Sequence, residues 1–115
     1  MGFLRRGDIV LANLEPIKGH EQGRLRPCII IQNDLGNKFS PTTIISPLTS
    51  NVLEKEYPTD VFVDKESAKL KKDSVVLLNQ IRTIDKSRII KKISSLDREI
   101  MRKVDLALKI SLDLE

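Results

Sequence analysis

A mainly β fold with a helix at its C-terminus, α+β in class, follows from two features of this sequence. Turn-forming residues are confined to its first half, where the last glycine is Gly36 and the last proline is Pro58. Short β-branched runs recur between and after these breakers. Beyond residue 95 the apolar residues change to helical spacing, at Leu96, Ile100, Met101, Val104, Leu108 and Leu112. No repeat, low-complexity segment or linker divides the 115 residues, so residues 1–115 read as a single domain.

The elements follow in order. Residues 8–14 form an apolar run after Gly7 and read as a first strand. Residues 15–25 are a loop broken by Pro16, Gly19 and Gly23. Residues 26–32 are a second strand with a nearly continuous β-branched centre. Residues 33–37, Asn-Asp-Leu-Gly-Asn, are a turn by composition. Residues 42–49 form a third strand, and Pro47 within it implies an edge or a bulge there. Residues 59–63 alternate and read as a fourth strand. Residues 73–81 are a fifth, with a short extension at 82–84. Five or six such strands in one small domain imply a compact barrel or a strongly curved sheet. Ser94 and Asp97 have the spacing of a capping box for the helix, and Asp97 and Glu99 suit its positive end. The helical stripe reads as core packing or a subunit interface.

Composition narrows the function. The net charge of +4 and pI near 9.3 favour a polyanionic partner. Many of the basic residues lie in 65–72 and 86–92 and read first as a solvated lysine face. Aromatics are 3% of the chain, too few for a sheet of base-stacking rings. Cys28 is the only cysteine, so no intrachain disulfide forms, and its apolar surroundings make it a small core residue. With one histidine, His20, and scattered acids, no metal-ligand cluster stands out. No apolar run approaches the roughly 20 residues of a membrane helix. The N-terminus lacks a signal-peptide pattern, and Arg6 breaks the myristoylation pattern that Gly2 begins. A cytoplasmic protein is expected.

The informative segment is Gly19-His20-Glu21-Gln22-Gly23-Arg24-Leu25-Arg26-Pro27, which runs into Cys28-Ile29-Ile30-Ile31. Polar residues and two glycines lead to an arginine at the mouth of a buried strand. Thr49 closes the next strand-like run. A guanidinium and a hydroxyl at neighbouring strand ends make a site for a phosphate.

These pieces, with Arg6-Gly7-Asp8-Ile9-Val10-Leu11-Ala12-Asn13-Leu14, Ile30-Ile31-Gln32-Asn33-Asp34, Gly36-Asn37-Lys38-Phe39-Ser40-Pro41-Thr42, Leu48-Thr49 and Gln80-Ile81-Arg82-Thr83-Ile84-Asp85-Lys86, occur in order. Together with the tail at 104–112 they make the chain resemble the MazF/PemK family, the ribonuclease toxins of type II toxin–antitoxin systems. The resemblance runs from Arg6 to Leu114. It implies an SH3-like small β-barrel with helical elements, a homodimer, and a MazE-like antitoxin as partner. It implies a metal-independent, cofactor-free endoribonuclease that cuts single-stranded RNA at short sequences. The ribose 2′-hydroxyl attacks, leaving 2′,3′-cyclic phosphate and 5′-hydroxyl ends. The family's catalytic arginine, in Gly-x-x-Arg-Pro, falls on Arg26, and its catalytic threonine on Thr49.

The chemistry is compatible with those residue types. Arg26 presents donors in a rigid fork to the extra negative charge of a phosphorane-like state, and Thr49 hydrogen-bonds the same phosphate. Arginine is a poor base at neutral pH. His20 and Glu21 are the titratable candidates for proton transfer, and His20 equally serves base stacking or loop solvation. Glu21, Gln22 and Gln80 read RNA base edges or cap loop backbone, and His20 joins them as an RNA-contact candidate. Asn79 departs from the acidic residue common at that position in the family. Two other readings stay open. Gyrase-poisoning toxins share the fold, but they carry a tryptophan-bearing C-terminus and this chain has no tryptophan. A nucleic-acid-binding module without catalysis is also compatible with the basic balance.

Overall fold

The computed structural model of the chain describes residues 4–15, 19, 24–51 and 57–115. Its elements are β1 (Asp8–Asn13), β2 (Leu25–Ile30), α1 (Asp34–Phe39), β3 (Thr42–Thr49), β4 (Asp60–Val63), α2 (Lys65–Ala68), β5 (Ser74–Leu77), β6 (Arg82–Asp85), β7 (Ile89–Ser95) and α3 (Arg98–Ser111), with a 3₁₀ turn at Lys86–Arg88. The strands form one antiparallel sheet in the order β4-β5-β3-β2-β1-β7, and β6 pairs with β3 off that path. The sheet is curved but not closed: β4 and β7 end its order, and no ladder joins them among the described residues. "SH3-like barrel" therefore describes it only loosely.

Alternation along the strands sends neighbouring residues to opposite faces and builds two cores. Ile9, Ile29, Leu48, Val63 and Val76 face one way and pack against Val104 and Ala107 of α3. Val10, Cys28, Ile30, Ile45, Ile84 and Ile89 face the other way. Each fully buried Ile, Leu or Val contributes on the order of 1.5–3 kcal/mol. β3 and the Cys28–Ile30 half of β2 are largely buried on both faces, which explains their near-continuous apolar runs.

Several expectations change. The 33–37 turn is the start of a helix: Asn33 caps α1 by accepting from the Gly36 N–H at 2.8 Å. Asn37 is fully buried and anchors the segment, accepting from Thr43 Oγ1 at 2.8 Å and donating to Gln32 O at 2.9 Å. Pro47 marks a local edge: one side of β3 is unpaired there, although β3 is not an edge strand. β3 is central, and Pro47 lies where its partner changes from β6, paired as far as Ile45 of β3, to β5, paired from Leu48 of β3. The missing N–H falls in that gap. The expected fifth strand with its extension divides into β5 and β6, because both pair along the same edge of β3 at different heights.

The strand β7 was unexpected; so was the short helix α2. β7 runs through the lysine-rich 86–92 segment and pairs with β1 through two register shifts that skip Ile90 and Ile93. These irregularities destroy the period-2 pattern by which a strand is recognised. Ser94 does not cap the C-terminal helix. It lies in β7, and its hydroxyl donates to the Ala68 carbonyl. The N-cap is Asp97, whose carboxylate accepts from the Ile100 N–H at 2.9 Å. Leu96 just before it is buried, and Met101 packs on the same core, the arrangement of a hydrophobic staple. Leu112 of the anticipated stripe is exposed.

Replacing Asp97 by Ala removes the cap and is expected to lower the unfolding free energy by about 1 kcal/mol, read from the urea midpoint. An unchanged midpoint would mean that another group caps α3.

Candidate functional site

β2 pairs with β3 through Cys28↔Pro47, Ile29↔Ser46 and Ile30↔Ile45. The ladder ends at Cys28↔Pro47, two residues short of Arg26 on β2 and of Thr49, the last residue of β3, so both stand past the same end of it. The opposite edge of β2 fixes Arg26 against Ala12 of β1. Residues directly opposite on antiparallel strands have Cβ atoms about 5 Å apart and share a face. The two residues singled out from separate parts of the sequence thus lie at the same end of adjacent strands. Arg26 is half-buried and Thr49 is 8% exposed. Thr49 Oγ1 accepts from the Asn51 N–H at 3.2 Å, which fixes the hydroxyl at the strand end and leaves its own proton to donate.

Gln80 lies half-buried in the turn between β5 and β6, its N–H donating to Leu77 O at 3.1 Å. That turn spans the gap on β3 beside Ser46 and Pro47, so Gln80 borders the same strand that carries Thr49. Asn79 is exposed in the same turn. His20, Glu21 and Gln22 lie outside the described residues. The stems of their loop are held together next to Arg26. The Leu14 N–H donates to Arg24 O at 2.9 Å, and Arg82 Nη1 donates to Leu14 O at 3.1 Å. The Arg88 guanidinium donates to the Asn13 carbonyl at 3.2 Å and also to that of Glu15.

Cys28, two residues from Arg26, is fully buried, and its thiol donates to the Arg26 carbonyl at 3.4 Å. Burial pushes its pKa up to about 12, although the Arg82 and Arg26 guanidiniums act in the opposite direction. A thiol held so firmly protonated is no nucleophile near neutral pH. Among the described residues no group of three or more His, Cys, Asp or Glu is disposed to hold a metal ion.

A cleft of about 510 Å³ has Arg26 in its lining. Arg26, Pro27, Leu48 and Ser50 contribute to its wall, so it touches β2 and β3 at the ends where Arg26 and Thr49 stand. Its remaining charged lining comes from Lys69, Lys71, Lys72 and Lys91. The sequence displayed these lysines openly, but assigned them to solvent. Their convergence depends on long-range pairing, as does the approach of Arg82 and Arg26 to Cys28.

A scan of family models matches residues 5–112 to the PemK-like, MazF-like toxin of type II toxin–antitoxin systems. The chain belongs to this family. Endoribonuclease EndoA of Bacillus subtilis (strain 168) is 50% identical over 112 residues, 97% of each chain. MazF from Deinococcus radiodurans has the same fold, with a TM-score of 0.84 at 27% identity over 99% of this chain and 100% of that one. A MazE–MazF crystal structure from Deinococcus radiodurans (Form-II) matches with a TM-score of 0.78 at 26% identity, covering all of both chains. The resemblance to the MazF/PemK family and the β-sheet with a C-terminal helix are thereby established.

The Cys28 environment has a measurable consequence. Between its ordinary value of 9.0 and about 12 the thiol ionises in the unfolded chain and not in the folded one. The unfolded state then binds fewer protons, so stability falls as pH rises through this window. Cys28→Ala is expected to flatten that fall in urea titrations between pH 9 and 11. An identical slope in both proteins would show that the thiol does not titrate differently on unfolding.

Proposed function

We propose that this chain is an endoribonuclease toxin that cuts single-stranded RNA at a short recurring sequence, without a metal, through attack by the ribose 2′-hydroxyl. The observation that supports this reading is that Arg26 and Thr49 stand at the same end of the adjacent strands β2 and β3, with Arg26 in the wall of a cation-lined cleft. The 50% identity to EndoA, itself named an endoribonuclease, supports it.

The chemistry follows from the groups present. As the 2′ oxygen bonds to phosphorus, negative charge accumulates on the non-bridging oxygens. The planar fork of Arg26 donates to these oxygens from a half-buried position, where the attraction is screened less than in water. The Thr49 hydroxyl donates to the same phosphate and holds it in line with the attacking and leaving oxygens. The 2′ proton must leave and the departing 5′ oxygen must gain one. Arg26 is too weak an acid for this exchange at neutral pH. His20 and Glu21, in the loop whose stems flank Arg26, are the titratable candidates. Glu21, Gln22 and Gln80 are suited to reading exposed base edges. The products are a 2′,3′-cyclic phosphate and a 5′-hydroxyl.

The assembly reading is a cytoplasmic homodimer neutralised by a MazE-like antitoxin. Leu35 and Phe39 of α1 and Leu106 and Ile110 of α3 form two exposed apolar pairs at helical spacing. Arg6 ties the two helices together: its N–H donates to Asp34 at 2.6 Å and its guanidinium to Asp105 at 2.7 Å. An apolar surface of this kind suits a second copy of the chain. A partner with an acidic, partly disordered tail suits the positive cleft, and its seating there would exclude RNA.

Incubation of a long unstructured RNA with the purified protein in EDTA tests the reading. Cuts at one short recurring sequence with cyclic phosphate ends are expected, and Arg26→Ala should lower kcat by about 10²–10³-fold. No cuts from a folded dimer free of antitoxin, or equal cutting by the variant, would overturn it.

A further inference from the structure

The end of β1 outruns its ladder with β7, which stops at Ala12↔Ile89. Backbone acceptors beyond a ladder must be met by other donors. Three consecutive carbonyls here are met by two guanidiniums. Arg88, the residue before Ile89, donates to the Asn13 carbonyl at 3.2 Å and also to that of Glu15. Arg82 Nη1 donates to the Leu14 carbonyl between them at 3.1 Å. Both arginines come from the distant segment formed by β6 and the 3₁₀ turn, so the contacts are tertiary.

The backbone facing this stem is strained. The Leu14 N–H donates to Arg24 O at 2.9 Å, which closes the stem two residues before Arg26. Arg24 stands at φ 62°, in the left-handed region that a residue with a Cβ avoids. Such strain persists where the surrounding structure over-determines it, and it accumulates at functional sites. The Arg24 side chain does not supply that restraint. It is 91% exposed, and its Nε stands 4.0 Å from the Glu15 carboxylate, a contact worth little in water. The restraint comes through Leu14, which binds Arg24 on one side and Arg82 on the other.

Arg82 is also on the face of the sheet that carries Arg26. Its register partner is Ile45, and Ile84, two residues on, lies in the same core as Cys28 and Ala12. Ala12 is in turn the partner of Arg26. The Arg82 and Arg26 guanidiniums both act on the Cys28 thiol. Arg82 forms no ion pair with a described residue. Its bond to the Leu14 carbonyl is therefore what holds the guanidinium in place among the described residues.

We propose that Arg82 and Arg88 are positioning residues: they clamp the Asn13, Leu14 and Glu15 carbonyls, hold Arg24 in its left-handed turn, and so fix the course on which β2 begins and Arg26 stands. The inference rests on the ribonuclease reading and deepens it. Neither residue needs to touch RNA. Arginine suits the task, because its planar fork holds two carbonyls at once, as Arg88 does, where an ammonium fixes no direction. Misplacing a group that acts on the transition state by about 1 Å can cost about 10²-fold in rate, so the clamp acts on kcat more than on KM.

Arg82→Met and Arg88→Met remove the donors and keep an unbranched apolar stem. Both positions are partly exposed and lie outside the two cores, and the urea midpoint checks folding. In the RNA-free protein, hydrogen exchange at the Leu14 amide is expected to quicken about tenfold in Arg82→Met, the mark of local opening. On a short cleavable RNA, kcat should fall about tenfold in each variant at unchanged KM. Adding Arg24→Gly to Arg82→Met separates position from charge. Glycine adopts the left-handed turn without a clamp, so the double variant should recover most of the lost kcat. Were Arg82 instead to act on RNA by its charge, removing a further cation at position 24 would deepen the loss and raise KM. That result would overturn the proposal, as would an unchanged Leu14 exchange or an unchanged kcat in Arg82→Met. Exchange is measured without RNA. Quickened exchange in the variants of a chain that cuts no RNA would therefore overturn the ribonuclease reading and leave the clamp supported.

Discussion

The antiparallel register between β2 and β3 is the constraint on which the rest of the molecule depends. Cys28 and Ile30 belong to one core, while Ile29 between them belongs to the other. A slip of one residue would exchange these faces and expose or misplace every apolar side chain of the strand. The same slip would turn Arg26 to the other face of the sheet. Core packing therefore sets the geometry of the candidate site, although neither residue contributes much to that packing. β1 reinforces the register from the other edge, because Ala12 faces Arg26 in the same ladder that places Leu11 against Pro27.

Charge is organised around this frame. The fork of Arg26 sits partly withdrawn from water at a strand end, where a fixed guanidinium acts most strongly on a developing charge. The more exposed lysines gather on a turn and on β7, which ends the sheet. There they serve a second purpose, since charged side chains on an outermost strand discourage pairing with other chains. Lys92 takes the structural part of this task through Asp8, and Lys91 faces the cleft. Adjacent residues of one strand thus divide between holding the fold and presenting charge. Cys28 is buried within one core, where its thiol stays protonated and is no nucleophile.

Much of the fold was legible because its signals are local. The bounds of β3 followed from its β-branched run, and the first strand from Gly7 and the apolar residues after it. The helix was visible in its spacing, but its start was not: Ser94 and Asp97 both look like caps, and only the pairing of β7 with β1 decides between them. Asn33 and Gly36 read as a turn because a capped helix of six residues and a turn use the same residues. β7 was hidden by the two register shifts that interrupt its alternation. At the site, Arg26 and Thr49 were identifiable through their motifs. Their placement at the same end of adjacent strands follows from the β2–β3 pairing and was not readable from either segment alone. The cleft lysines were in plain view, yet a run of lysines carries no information about what it faces until α2, β5 and β7 are in place.

The central claim is that Arg26 and Thr49 act on one phosphate as a unit. A double-mutant cycle on RNA cleavage, with Arg26→Ala, Thr49→Val and the double variant, tests it most directly. Residues that act together are strongly non-additive. The double variant is expected to lose little more in kcat/KM than the worse of the two single variants. Losses that multiply would contradict the account, because they would mean that the two side chains act on separate steps or separate parts of the substrate.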